Sequence, residues 1–253
     1  MTGIYVSCAL GLLSFIAFVI KCRKKRSVEG VYIKNVVSLF FIATAFSGVM
    51  FIINTYNSGS RGMLQYGVIV MFGLILGMLG DIYLDQKWVY PEHEKQYLYA
   101  GFITFLIGHI FYMVSIFMKL SEYVKLKPVH FIAAAAIAIL IDIINLLLEK
   151  PTKQHYGSYK LIVTVYTFFV AGTFGSALTA AFFTRGTDAF VPFIIYAVGA
   201  ALFLISDIIL SPMYFGDGSK NTPANFILNH ATYYIGQYIF ALTIVLFSIR
   251  SIA

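Results

Sequence analysis

Two aspartates stand inside long apolar runs in nearly the same context, Gly80-Asp81-Ile82-Tyr83-Leu84 and Ser206-Asp207-Ile208-Ile209-Leu210. A carboxylate within a membrane-type helix costs about 2.5–3.5 kcal/mol even on lenient insertion scales. Side chains kept at that cost generally face a polar cavity or one another. Two carboxyl groups sharing a low-dielectric cavity resist double ionisation and titrate as a coupled pair. Such a pair can offer one acid and one base. That chemistry serves proton-assisted hydrolysis, and it serves equally as the proton site of a carrier.

Other polar residues accompany the aspartates in the apolar runs. His109 and Tyr112 are three apart and share a helical face, and Tyr234 and Gln237 have the same spacing, with His230 one turn earlier. Asp142 and Asn145 share another face. Asp85 is expected at the interface and solvated, as are Glu92, His93, Glu94 and His155 in the linkers. The chain has no H-E-x-x-H, P-loop or G-x-S-x-G motif. Its cysteines, Cys8 and Cys22, suggest neither a disulfide framework nor a metal site. Neither a metal nor a cofactor is expected.

The elements that carry these residues are membrane spans. Of the 253 residues 60% are hydrophobic and only 11% charged, against about 25% charged in soluble domains. The mean hydropathy is +0.84. The apolar runs match the roughly 20 residues needed to cross a bilayer core. Eight spans are predicted, at about 3–20, 34–53, 65–84, 97–118, 129–148, 159–183, 189–210 and 226–249. The fold class is therefore all-α, a polytopic membrane bundle of about eight helices. The linkers are too short for a soluble domain, so residues 1–253 form a single transmembrane domain. The first run lacks a basic segment before it and reads as a retained span. Gly73, Gly77 and Gly80, then Gly101 and Gly108, suit close helix packing in the third and fourth spans.

The net charge of +7 reads as topology and not as nucleic-acid binding. Six of the 18 lysines and arginines lie between Lys21 and Lys34. The side holding the first, third, fifth and seventh linkers carries about 12 of them, which makes it cytoplasmic and puts both termini on the far side. The run Lys21-Cys22-Arg23-Lys24-Lys25-Arg26 is suited to anionic headgroups.

The second half of the chain echoes the first. Asp81 and Asp207 are 126 residues apart, as are Lys34 and Lys160, each lysine near the head of a span. Ile107-Gly108-His109-Ile110 lines up with Ile235-Gly236-Gln237-Tyr238 at 128. A 4+4 parallel repeat with halves 1–128 and 129–253 is expected, its axis along the membrane normal. It would bring Asp81 and Asp207 to similar depth on one side.

Leu79-Gly80-Asp81-Ile82-Tyr83-Leu84, Phe105-Leu106-Ile107-Gly108-His109-Ile110-Phe111-Tyr112, Phe203-Leu204-Ile205-Ser206-Asp207 and Tyr234-Ile235-Gly236-Gln237 resemble, in order and spacing, the YhhN family of multi-pass membrane proteins. Lys34 also fits that pattern, although Asn35 stands where a proline often follows. The family's eukaryotic members include lysoplasmalogenases. The resemblance implies hydrolysis of the vinyl ether bond of a lysophospholipid, giving a fatty aldehyde and glycerophosphoethanolamine or glycerophosphocholine. It implies a bacterial plasma membrane or endoplasmic reticulum location, with membrane lipids as the surrounding partners. The reaction needs an acid to protonate the vinyl carbon and a base to position water. Asp81 and Asp207 are the expected catalytic pair. His109, Tyr112, Tyr234 and Gln237 would orient the aspartates, the water or the ether oxygen. Lys34 and Lys160 would hold the substrate phosphate or snorkel to headgroups. The alternatives are a proton-coupled transporter and a non-catalytic lipid-binding protein.

Overall fold

A computed structural model describes residues 1–22, 28–56 and 61–250. The basic residues 23–26 and the linker residues 57–60 lie outside the described residues. Eight long helices follow in order: α1 (Thr2–Cys22), α2 (Val28–Tyr56), α3 (Arg61–Val89), α4 (Glu94–Leu120), α5 (Pro128–Leu148), α6 (Lys160–Phe183), α7 (Phe190–Phe215) and α8 (Pro223–Arg250). Single turns of 3-10 helix at Pro91–His93 and Gly157–Tyr159 lead into α4 and α6. All eight helices are long and apolar enough to span a membrane.

Each helix contains the core of its predicted span, and most run beyond it. Both α3 and α7 continue five residues past the expected ends at Leu84 and Leu210. Hydropathy marks where side chains leave the apolar core. The backbone ladder does not depend on side-chain polarity and continues through the interface. Pro212, expected after the seventh span, lies inside the end of α7. That helix closes with the Gly216 N–H donating to the Pro212 carbonyl at 3.1 Å. α5 begins with Pro128 at its first position, where the missing N–H costs nothing.

Lipid supplies little apolar drive between helices, so association rests on close van der Waals contact and interhelical hydrogen bonds. Two close glycine contacts fall on equivalent positions of the two halves. A Cβ on Gly108 of α4 would lie 3.2 Å from the Gly73 carbonyl oxygen of α3. A Cβ on Gly236 of α8 would lie 2.8 Å from the Gly199 carbonyl oxygen of α7. Gly199 follows Gly73 by 126 residues and Gly236 follows Gly108 by 128. Two turns away, Gly101 faces the Gly80 carbonyl. At the corresponding place Asn229 donates to the Ser206 carbonyl at 2.8 Å. α1 and α5 have equal lengths and boundaries 126 residues apart. α4 packs on α6 as α8 packs on α2, joining the first four helices to the last four. α8 and α4 are the most buried spans, and α5 and α1 the least.

Candidate functional site

The polar cluster begins on α2 and α3. Asp81 and Asp85 are one turn apart, so both carboxylates project from one face of α3. Lys34 of α2 reaches between them, its Nζ 3.0 Å from Asp81 Oδ1 and 3.0 Å from Asp85 Oδ2. All three are buried. Asp85 is therefore not the solvated interfacial residue expected from the sequence, being only 4% exposed. Because α3 continues as helix beyond Leu84, Asp85 stays on the Asp81 face and shares its counter-ion. An ion cluster buried in this way is tolerable only when the remaining lone pairs find donors. Ser38, one turn after Lys34, donates to Asp81 Oδ2 at 3.0 Å, and Tyr233 of α8 donates to the same oxygen at 2.9 Å.

A line of hydrogen bonds runs inward from Tyr233. Gln237 Nε2 donates to the Tyr233 hydroxyl at 3.1 Å, and the Tyr112 hydroxyl donates to Gln237 Oε1 at 2.7 Å. Tyr112 and Gln237 thus reach Asp81 through Tyr233, a residue the sequence reading passed over in favour of Tyr234. Tyr234 instead donates to the Lys34 backbone carbonyl at 3.2 Å, which ties α8 to α2. His109 stands outside this line. Its Nδ1 is 2.9 Å from Thr173 Oγ1, its ring meets Phe203 edge-on at 4.5 Å, and its buried Nε2 has no hydrogen-bond partner among the described residues.

Asp207 is placed differently. Tyr166 of α6 donates to its Oδ2 at 2.8 Å and is its one hydrogen-bond partner among the described residues. Asp207 is half-buried where Asp81 is fully buried. Lys160 does not repeat the role of Lys34: it is exposed and pairs with Glu149 at 2.8 Å. The position equivalent to Asp85 in the second half is Ser211, so Lys160 has one acid fewer to draw it inward. Glu149, just past the end of α5, is held below its ordinary value by that ammonium and then by the Tyr156 N–H. Asp142 is buried off the cavity, with Oδ1 unpartnered among the described residues.

Asp81 and Asp207 line one cavity of about 600 Å³, together with Lys34, Tyr166, His230 and Tyr233. They share a cavity and not a hydrogen-bond partner. Phe102, Phe105, Val170 and Phe203 give the inner walls an apolar surface. At the mouth stand Lys153, Gln154, Asp217 and Lys220, from the α5–α6 and α7–α8 connections. His230 is oriented by its Nδ1, which bonds the Phe226 carbonyl at 2.8 Å. Among the described residues no group of three or more His, Cys, Asp and Glu side chains is placed to hold a metal ion.

The arrangement supplies two carboxyl groups of unlike setting at a partly apolar cavity with a polar mouth. Asp81 is fixed as an acceptor by three converging donors. Asp207 has one donor and otherwise faces the cavity. Ser38, Tyr166 and Tyr233 are the site residues missing from the sequence reading. Tyr233 lies four residues before Gln237 and was legible as an i,i+4 partner; Ser38 and Tyr166 are single hydroxyls in apolar helices and carry no pattern.

Comparison with curated proteins and with solved structures returns no match. The sequence profile of the YhhN family matches residues 30–244, a stretch that includes every residue of the cluster described above. The chain belongs to the YhhN family.

Proposed function

We propose that the protein is a lysoplasmalogenase-like hydrolase that cleaves the vinyl ether bond of a lysophospholipid within the membrane. The observation that carries this reading is the pair Asp81 and Asp207 lining one membrane-embedded cavity in unlike hydrogen-bond settings. Membership of the YhhN family is consistent with a hydrolase.

The mechanism follows from the settings. Protonated Asp207 gives its proton to the vinyl carbon beta to the ether oxygen, leaving an oxocarbenium-like cation. Ionised Asp81, held by Lys34, Ser38 and Tyr233, stabilises that cation and takes a proton from the water that adds to it. Paired carboxylates serve glycosidases in a similar way. The hemiacetal then collapses. Its hydroxyl proton returns to Asp207, Asp81 protonates the leaving alcohol, and aldehyde and glycerophospho-alcohol depart with both carboxyls reset. Lys34 is taken up by two carboxylates, and Lys160 lies outside the cavity. Among the described residues, the cations available to the substrate phosphate are therefore Lys153 and Lys220 at the mouth.

Each span runs as one continuous helix, which favours a fixed catalytic cavity over the broken helices typical of carriers. Incubating purified protein with lysoplasmalogen and with its ester-linked counterpart tests the reading. Aldehyde from the vinyl ether alone is expected. No aldehyde, with proton-dependent uptake into liposomes, would replace hydrolysis by transport.

A further inference from the structure

We infer that the cavity opens sideways into the lipid between α5 and α7, and that the alkenyl chain of a lysophospholipid enters there from within one leaflet. This inference rests on the hydrolase reading for the identity of the substrate, and on geometry for the opening. α5 packs along α6, is the least buried span, and makes at most marginal contact with α7. α5 lines the cavity with Ile141, Ile144, Asn145 and Leu148, and the aliphatic lining from α7 includes Leu204 and Ile208. Ile144 and Ile208 are also 46% and 62% exposed. The same side chains therefore border both the cavity and the outer apolar surface.

The corresponding positions of the first half pack differently. Ile141 and Ile144 correspond, at 126 residues, to Phe15 and Phe18 of α1. Phe15 meets Tyr234 edge-on at 5.6 Å, and Phe18 lies 5.4 Å from Phe226 and 5.0 Å from His230. On α1 these places hold aromatic side chains packed against α8, and smaller aliphatic ones stand at the corresponding places on α5. Ile144 and Ile141 lie four and seven residues before the end of α5 at Leu148. At 1.5 Å per residue the opening sits roughly 6–10 Å inside the helix end, at the depth of lipid chains. An unbranched alkyl chain fits aliphatic walls that face bilayer chains. The polar mouth keeps the phosphate at the headgroup level, so the whole lipid need not leave the membrane to reach Asp207.

The test uses a lysophospholipid with a non-hydrolysable alkyl ether chain bearing a terminal diazirine, in liposomes holding the full chain. Photolysis is followed by mapping of the labelled residues. Labelling of Ile141, Ile144, Leu204 or Ile208 is expected, falling at least tenfold in Ile144→Phe and in Ile208→Phe. It should be unchanged in Ile139→Phe, an exposed α5 position off the cavity. All variants are compared at equal monodispersity. Labels confined to outer positions, or equal labelling in wild type and both cavity variants, would overturn the side opening. Aldehyde release by the wild type is scored separately. Labelling without aldehyde refutes the hydrolase reading and keeps the opening; aldehyde without labelling does the reverse.

Discussion

Asp81 accepts three donors and Asp207 one, and in the proposed reaction this difference gives the base role to Asp81 and the acid role to Asp207. General acid–base groups contribute about 10²–10⁴-fold. Asp81→Asn and Asp207→Asn should each lower aldehyde release by that range while the purified protein keeps its elution profile. The adjacent tyrosines should separate by what they touch. Tyr233→Phe removes a hydrogen bond to a charged carboxylate, worth about 1.5–3 kcal/mol, and should slow turnover roughly tenfold to a hundredfold. Tyr234→Phe removes a bond to a backbone carbonyl and only a longer contact, 3.5 Å, to Ser38, and should change melting temperature more than turnover. Lys34→Met leaves two buried carboxylates without their cation, a loss of about 3–5 kcal/mol. Thermal unfolding in detergent should show it, with partial recovery in Lys34→Met combined with Asp85→Asn. At this scale Asp81, Asp207 and Gln237 were legible because each is polar where the sequence is otherwise apolar. Asp85 was misplaced because hydropathy locates the edge of the apolar run, whereas burial of Asp85 depends on a lysine 51 residues away in sequence.

Among the elements, helix number and order were legible, because a spanning segment must be both apolar and long. Their ends were not, since α3 and α7 continue where the side chains turn polar. The glycines of α3 and α4 read correctly as close-packing positions. The closer contact, Gly236 against Gly199, lies in the half where no glycine was singled out for packing. Gly236→Ala should lower melting temperature more than Gly108→Ala, because its Cβ would meet backbone oxygen at 2.8 Å against 3.2 Å. The Glu149–Lys160 pair pins the α5–α6 connection. Since the Glu149 carboxylate is held below its ordinary value by Lys160, the contact is complete above that value of 4.5 and is lost only as pH falls below it. Limited proteolysis of this connection should therefore be flat from pH 7 to 5.

Across the whole molecule, the lysines and aspartates matched at an offset of 126 stand in unlike settings. Lys34 is buried between two acids, while Lys160 turns outward to Glu149. The sequence offset could not show this, because it follows from single departures such as Ser211 in place of a second aspartate. The cavity mouth lies at the end of the bundle formed by the α5–α6 and α7–α8 connections, the end that charge bias predicts to be cytoplasmic. Lys153→Cys should accordingly react with an impermeant maleimide from the cytoplasmic side only, against the background of Cys8 and Cys22, and lysophospholipid should protect it.

In the proposed reaction Asp207 and Asp81 together protonate and hydrate a vinyl ether. The most direct measurement is the mass of the fatty aldehyde released from lysoplasmalogen in D₂O by the purified protein and by Asp207→Asn and Asp81→Asn. The expected result is aldehyde carrying one deuterium at the carbon next to the carbonyl, with both variants nearly inactive. Aldehyde without that deuterium, or undiminished release by either variant, would contradict it.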